Sequence, residues 1–302
     1  MIGGLRITAR DLSSARRWAE RGVTRAAEGA RKQLLRLGEP LRIQSRPVFI
    51  LGCQRSGTTM LARALGRSPY VDVIHENDSR AFRAVRLRER AITVGLLGRS
   101  RARAVVFKAI CDSHLALRLL CEHNDARAIW IYRRVDDVAR SAARLWGDHF
   151  LHAVRTVLVE PRHAGWYGEH VTDGRMKQLT QLWRPDLGAT SGAALVWWLR
   201  NSLYFDLQLE TDRRVLLVSY DELCSAPERV LQSAFSFVEL PWERRAIRGI
   251  GERDPQSATS LALDARIAAA CRELGVRLDA ARLRPETLLH DVAINVSAVS
   301  SS

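Results

Sequence analysis

The stretch PVFILGCQRSGTTML, residues Pro47–Leu61, sets an apolar run against a glycine-bearing turn and then against the start of an amphipathic pattern. PVFIL has the length and branched-aromatic character of a buried strand, while Met60, Leu61, Ala64 and Leu65 share one face of a helix. Strand, tight loop and helix in that order make an anion site. The backbone N–H groups of the turn and the positive end of the helix point into the loop. Gly52 and Gly57 let the backbone close around an anion, Ser56, Thr58 and Thr59 add hydroxyl donors, and Arg55 supplies a cation from within the loop.

Further strands are predicted at Val71 to Ile74, Ala104 to Phe107, Ala128 to Tyr132 and Val215 to Ser219. Helices are expected near Ser79 to Leu97, Ser113 to His123, Val135 to Trp146, Ala193 to Leu209 and Pro227 to Val238. Short apolar strands alternating with helices predict a three-layer α/β/α fold with a mainly parallel central sheet. Residues 147–191 hold scattered Gly, Pro, His and aromatic residues without a sustained period, so a surface insertion is expected there. Ahead of the domain, Leu12, Ala15, Ala19, Val23, Ala26, Ala30 and Leu34 recur at helical steps among arginines. Residues 1–40 therefore read as a basic amphipathic helix, suited to the domain surface, a partner or peripheral contact with an anionic membrane. A single domain is expected over 41–290 and a frayed tail over 291–302.

The strand AIWIY is followed by Arg133 and Arg134, and Ser141 lies in the next helix. Arg133 leaves its strand at the same carboxyl edge as the first loop, so both sites should open into one crevice. The first loop has the spacing of the nucleotide-binding loop of NTPases, but Thr58 stands where those enzymes need lysine. A magnesium carboxylate at the strand end is also missing, because arginine follows AIWIY. A nucleotide kinase-like phosphoryl transferase is thus the weaker enzymatic reading, and no metal is expected. The non-enzymatic rival is a basic anion-binding protein.

Composition is consistent with a globular chain: 302 residues, 47% hydrophobic, 26% charged and a formal net charge of +14. That charge favours an anionic partner. No nucleic-acid recognition module is evident, so nucleic acid is not expected as the partner. Five cysteines without a C-x-x-C pair suggest neither a disulfide framework nor a zinc site. The opening MIGGLRITARDL lacks the apolar block of a signal peptide, and no window approaches the roughly 18 apolar residues of a membrane span. A cytoplasmic location is expected. Among 47 basic residues only Lys32, Lys108 and Lys177 are lysine, which singles out Lys108 at the end of the strand AVVF.

PVFILGCQRSGTTML resembles the 5'-phosphosulfate-binding loop of sulfotransferases that use 3'-phosphoadenosine 5'-phosphosulfate (PAPS). IYRRVDDVARS resembles their 3'-phosphate-binding strand and helix. VVFKAICDSHLALRLL and LLVSYDELCSAPERVLQSAFSFVEL extend the likeness, so that it spans roughly Pro47 to Leu240. The resemblance implies a P-loop NTPase-like sulfotransferase architecture. It also implies transfer of a sulfuryl group from PAPS, as co-substrate, to a hydroxyl or amine of a small-molecule, carbohydrate or lipid acceptor. By the same match Arg55, Ser56, Gly57, Thr58 and Thr59 would grip the 5'-phosphosulfate, Arg133 with Ser141 the 3'-phosphate, and Lys108 would stabilise the transferring group.

Cytosolic members place a histidine two residues after that lysine, where this chain has Ile110. Glu76, following the strand VDVI, takes the role of general base on the pattern of other sulfotransferases, with His75 and His114 as the alternatives. The chain also departs from the family's Arg-Asp-Pro turn with Arg133-Arg134-Val135, and its adenine-stacking aromatic is unassigned. Trp197 and Trp198 are expected in the core, and Arg253 is a candidate late guanidinium.

Overall fold

Residues Arg46–Gly52 form the central strand β1, whose side chains alternate between two apolar faces and are buried on both. Val48 and Ile50 enter one core with Val106, Ile129 and Ile131, while Phe49 and Leu51 enter the other with Phe107 and Trp130. The computed structural model describes residues 29, 30, 32, 34, 35, 45–123, 125–251, 261 and 263–283. By internal contacts the chain divides into two units, Met1–Ile43 and Gln44–Ser302. In the first, residues 29, 30, 32, 34 and 35 are helical; the rest of the predicted N-terminal helix lies outside the described residues, as do the tail from 291 and Arg253.

The second unit continues with α1 (Thr58–Leu65), β2 (Val71–Ile74), a two-stranded ribbon of β3 (Phe82–Arg83) and β4 (Arg86–Leu87), and α2 (Arg90–Arg99). Then come β5 (Ala104–Lys108), a 3-10 turn (Ile110–Leu115), α3 (Ala116–Glu122), β6 (Arg127–Tyr132) and α4 (Val135–Trp146). After α5 (His149–Val159), α6 (Asp173–Leu182) and α7 (Ala189–Asp206) follow β7 (Val215–Ser219), α8 (Tyr220–Ser225), α9 (Pro227–Phe237) and α10 (Ala265–Arg282). The five-stranded sheet runs β2-β5-β1-β6-β7 with every pairing parallel. Helices cover both faces, α1 and α9 on the Val48 side and α3, α4, α5, α7 and α10 on the Phe49 side. The fold is the three-layer α/β/α arrangement expected.

One local expectation is corrected. Residues 79–89 are not helical: Phe82 pairs with Leu87 across a turn in which Ala84 and Val85 take positive φ, and Asp112 receives Leu87 N at 2.7 Å and Arg86 Nε at 2.6 Å. A buried carboxylate on a distant segment thus outweighs the local helical pattern. The 147–191 segment, expected as a surface insertion, contains the helices α5 and α6. Phe150, Val154 and Val157 of α5 pack into the core, and Thr172 caps α6 by accepting from Arg175 N at 3.2 Å.

The end of β1 tolerates no side chain. Gly52 has φ of +126°, and a Cβ there would fall 2.3 Å from the Ile131 carbonyl oxygen on β6. Gly52→Ala should therefore cost more than about 2 kcal/mol, through backbone strain and displacement of β6. Urea unfolding of the purified variant measures this.

Candidate active site

Beyond Gly52 the chain turns through Cys53, Gln54, Arg55 and Ser56 into α1. Arg55 sits in the left-handed region at φ 67°, and Gly57 follows at φ 90° as the N-terminal cap of α1. A Cβ on Gly57 would lie 2.1 Å from the Tyr220 ring, so glycine is required for Tyr220 to close on the loop. No side chain caps α1, which leaves the N–H groups of its first turn directed at the loop interior. The Ser56 hydroxyl is buried without a hydrogen-bond partner. An orphaned hydroxyl beside an uncapped helix start is a site shaped for an anion. Thr58 is buried and Thr59 half-buried on the first turn.

Arg55 reaches from the loop to α4, where its Nε donates to Ser141 Oγ at 2.9 Å and its guanidinium lies 5.8 Å from the Trp146 ring. Arg133, at the end of β6, stands 4.3 Å over the Tyr220 ring, and its Nε lies 3.5 Å from Asp137 Oδ2. Its backbone is pinned by Trp197, whose Nε1 donates to Arg133 O at 2.8 Å; Trp197 and Trp198 are core residues. Burial, then the charges of Arg133 and Arg144, hold the Arg55 guanidinium below its usual pKa. Such crowding of like charges is what an anion relieves. The structure thus brings Arg55, Ser56, Gly57, Arg133 and Ser141 to the carboxyl edges of the neighbouring strands β1 and β6.

On the opposite flank of the loop, β2 and β5 deliver Glu76 and Lys108. The Lys108 ammonium, buried at the end of β5, pairs with Glu76 Oε1, and Glu76 remains open to solvent at 24% of its side chain. His75 is half-buried, and burial together with Lys108 holds its pKa down. His114 is fully buried; burial and then Arg200 push its pKa down to about 3, against the pull of Glu169, whose Oε2 lies 2.5 Å from Nε2. An imidazole so depressed is a weak proton acceptor at neutral pH. That burial counts against His114 as the base.

Three features were missed in the sequence. Tyr220 opens the helix after β7 and lies between Arg133 and Gly57; its signal was an aromatic at a strand's carboxyl end. Arg86 donates to Asp112 at 2.6 Å and to both oxygens of Glu169 at 2.9 and 3.0 Å, joining the 147–191 segment to the turn after β5. Ser113 braces the loop: its Oγ accepts from Gly52 N at 3.0 Å, donates to Ile110 O at 2.8 Å and lies 3.1 Å from Gly52 O.

A cavity of about 480 Å³ lies beside this crevice, among Arg133, Arg134, Trp197, Leu263, Arg272 and Asp279. Of the predicted site residues it touches Arg133 alone, so it is an annex of the crevice and not its centre. Among the described residues no cluster of His, Cys, Asp and Glu is placed to hold a metal ion, and no helix is long and apolar enough to cross a membrane. Ser113→Ala leaves Gly52 N buried without its partner and should destabilise the protein by about 1–3 kcal/mol. Chemical denaturation tests this, with an unchanged midpoint showing the brace to be dispensable.

A family model described as "Sulfotransferase domain" matches residues 45–254. No curated protein matches the chain in sequence. Among solved structures, a sulfotransferase from Alicyclobacillus acidocaldarius is 16% identical, with 80% of this chain and 97% of that chain covered and a TM-score of 0.47. The sulfotransferase domain of the Synechococcus PCC 7002 olefin synthase is 15% identical over 78% of this chain and 97% of that one, at a TM-score of 0.45. A mouse sulfotransferase complexed with PAP is 15% identical over 68% and 65%, at 0.37.

Proposed function

Because the chain belongs to the sulfotransferase domain family and is a sulfotransferase, we propose that its donor is PAPS and that Glu76 serves as general base for in-line transfer to an acceptor hydroxyl or amine. The observation that carries this reading is the convergence of Arg55, Ser141 and Arg133 on one side of a loop whose Ser56 hydroxyl has no partner. Two clusters of donors at neighbouring strand ends suit the two separated anionic groups of one nucleotide.

In this scheme Ser56, Thr58, Thr59, Arg55 and the N–H groups around Gly57 hold the 5'-phosphosulfate. Arg133 and Ser141 hold the 3'-phosphate, which requires Ser141 to exchange its bond from Arg55 for one to the ligand. The acceptor oxygen or nitrogen attacks sulfur as the bond between sulfur and the bridging 5'-phosphate oxygen breaks. The electron pair leaves on that oxygen, releasing adenosine 3',5'-bisphosphate, and the acceptor's proton passes to the Glu76 carboxylate. Lys108 lies beside Glu76 and neutralises charge that develops on the leaving oxygen and the transferring group. The chemistry requires no metal. The acceptor is a small molecule, a carbohydrate or a lipid, shaped by the 147–191 segment that Arg86 ties to the turn after β5. Free thiols at all five cysteines favour a cytoplasmic setting.

Adenosine 3',5'-bisphosphate should raise the thermal midpoint in proportion to the logarithm of its concentration without added metal. A larger response to ATP with magnesium would favour phosphoryl transfer instead. Arg133→Ala should weaken the bisphosphate by about tenfold or more while sparing adenosine 5'-monophosphate, since a charge-assisted bond to the 3'-phosphate is lost. Calorimetric titration of both ligands decides it, and equal losses would remove Arg133 from the 3'-phosphate. Glu76→Gln should keep bisphosphate binding and reduce turnover by about 10²–10⁴-fold. Transfer of labelled sulfate from PAPS to pooled acceptors reads this, and unchanged turnover would exclude Glu76 as the base.

A further inference from the structure

Helix α7 is buried continuously from Ser191 to Tyr204, and within that span it carries one charged side chain, Arg200. The residue is 1% exposed. Its Nη1 donates to Trp166 O at 3.0 Å, its Nη2 reaches Ile110 O at 3.5 Å, and the guanidinium lies 4.9 Å over the Trp166 ring. Nε has no hydrogen-bond partner, and among the described residues no carboxylate forms an ion pair with it. A buried cation with no carboxylate at ion-pair distance costs several kcal/mol, and an apolar side chain of similar length would fill the same space without that penalty. Burial pushes its pKa down to about 10, with Cys53, Cys111, Tyr167 and the buried Asp112 carboxylate acting in the opposite sense, so Arg200 stays charged at neutral pH.

The position of this charge gives the cost a use. The Ile110 carbonyl that Arg200 approaches also accepts from Ser113 Oγ at 2.8 Å. The same hydroxyl holds Gly52 N at 3.0 Å, where β1 gives way to the anion loop. Gln54, two residues into the loop, donates to Cys111 Sγ at 3.7 Å on the same turn. Arg200 is thus linked to the loop from its protein side, while Arg55 faces it from the solvent side. Water screens the exposed Arg55; it does not screen Arg200 in the dry interior, where the field of a fixed charge persists over longer distances.

We propose that Arg200 is a positioning residue for the sulfuryl donor: a permanent countercharge beneath the loop that an incoming 5'-anion neutralises, held in register through Ile110, Ser113 and Gly52. This rests on the donor reading above. The residue acts by its field and through the backbone it braces, and makes no contact with the ligand.

The test compares adenosine 3',5'-bisphosphate with adenosine 3'-monophosphate, which lacks the 5'-anion, by calorimetric titration of the full chain. Arg200→Met should weaken the bisphosphate by about tenfold and the 3'-monophosphate by less than about twofold, and Arg200→Lys should restore most of the difference. Equal losses for the two ligands would reduce Arg200 to a packing residue and overturn the proposal, as would an unchanged bisphosphate affinity. Where the methionine variant fails to fold, Arg200→Gln, which removes the charge and keeps an amide donor, carries the same comparison with the same deciding outcomes. Failure of the native protein to bind the bisphosphate at all would instead defeat the donor reading.

Discussion

The site depends on β1 ending between β5 and β6, with Gly52 pressed against the Ile131 carbonyl. That contact leaves no room for a side chain and turns the chain into a loop at the middle of the sheet's carboxyl edge. From there every other group is placed by strand order. β2 and β5 bring Glu76 and Lys108 to one flank, and β6 and β7 bring Arg133 and Tyr220 to the other. A parallel sheet with all its strands directed one way concentrates these ends on a single edge, which is why residues distant in sequence share one crevice.

Positive charge dominates that crevice, and its arrangement differs from one arginine to the next. Arg55 rests on Ser141 and near Trp146, Arg133 on Tyr220 and Asp137, and Arg200 on two backbone carbonyls and Trp166. Lys108 alone is directly paired with the proposed base. This division suits a reaction in which one group must stay near a carboxylate while others receive phosphates. Arg55 and Ser141 satisfy each other, which joins the loop to α4.

Much of the fold was legible because buried parallel strands write themselves as short apolar runs. β2 and β7 have the predicted bounds, as does α4, whose polar and apolar faces are sharply divided. The misreadings have a common cause. Residues 79–89 obey Asp112, a partner more than twenty positions away, and α5 hides its buried Phe150, Val154 and Val157 among histidines and an arginine. Arg200 left one faint trace, a single charge inside WWLRNSLYF, which periodicity alone treats as an interruption of an apolar helix.

The sequence by itself determined the strand-loop-helix unit around Gly52 and Gly57, the second arginine at the end of β6, and the alternation that builds a parallel sheet. These are local, because backbone conformation and burial pattern depend on neighbouring residues. Only the tertiary structure decided that Lys108 pairs with Glu76, that Tyr220 closes on Gly57, that His114 is too deeply buried to be a good base, and that Arg200 lies beneath the loop. Each of those depends on which strand ends become neighbours and on how much water is excluded between them, and charge interactions through space carry no mark in the spacing of residues along a chain.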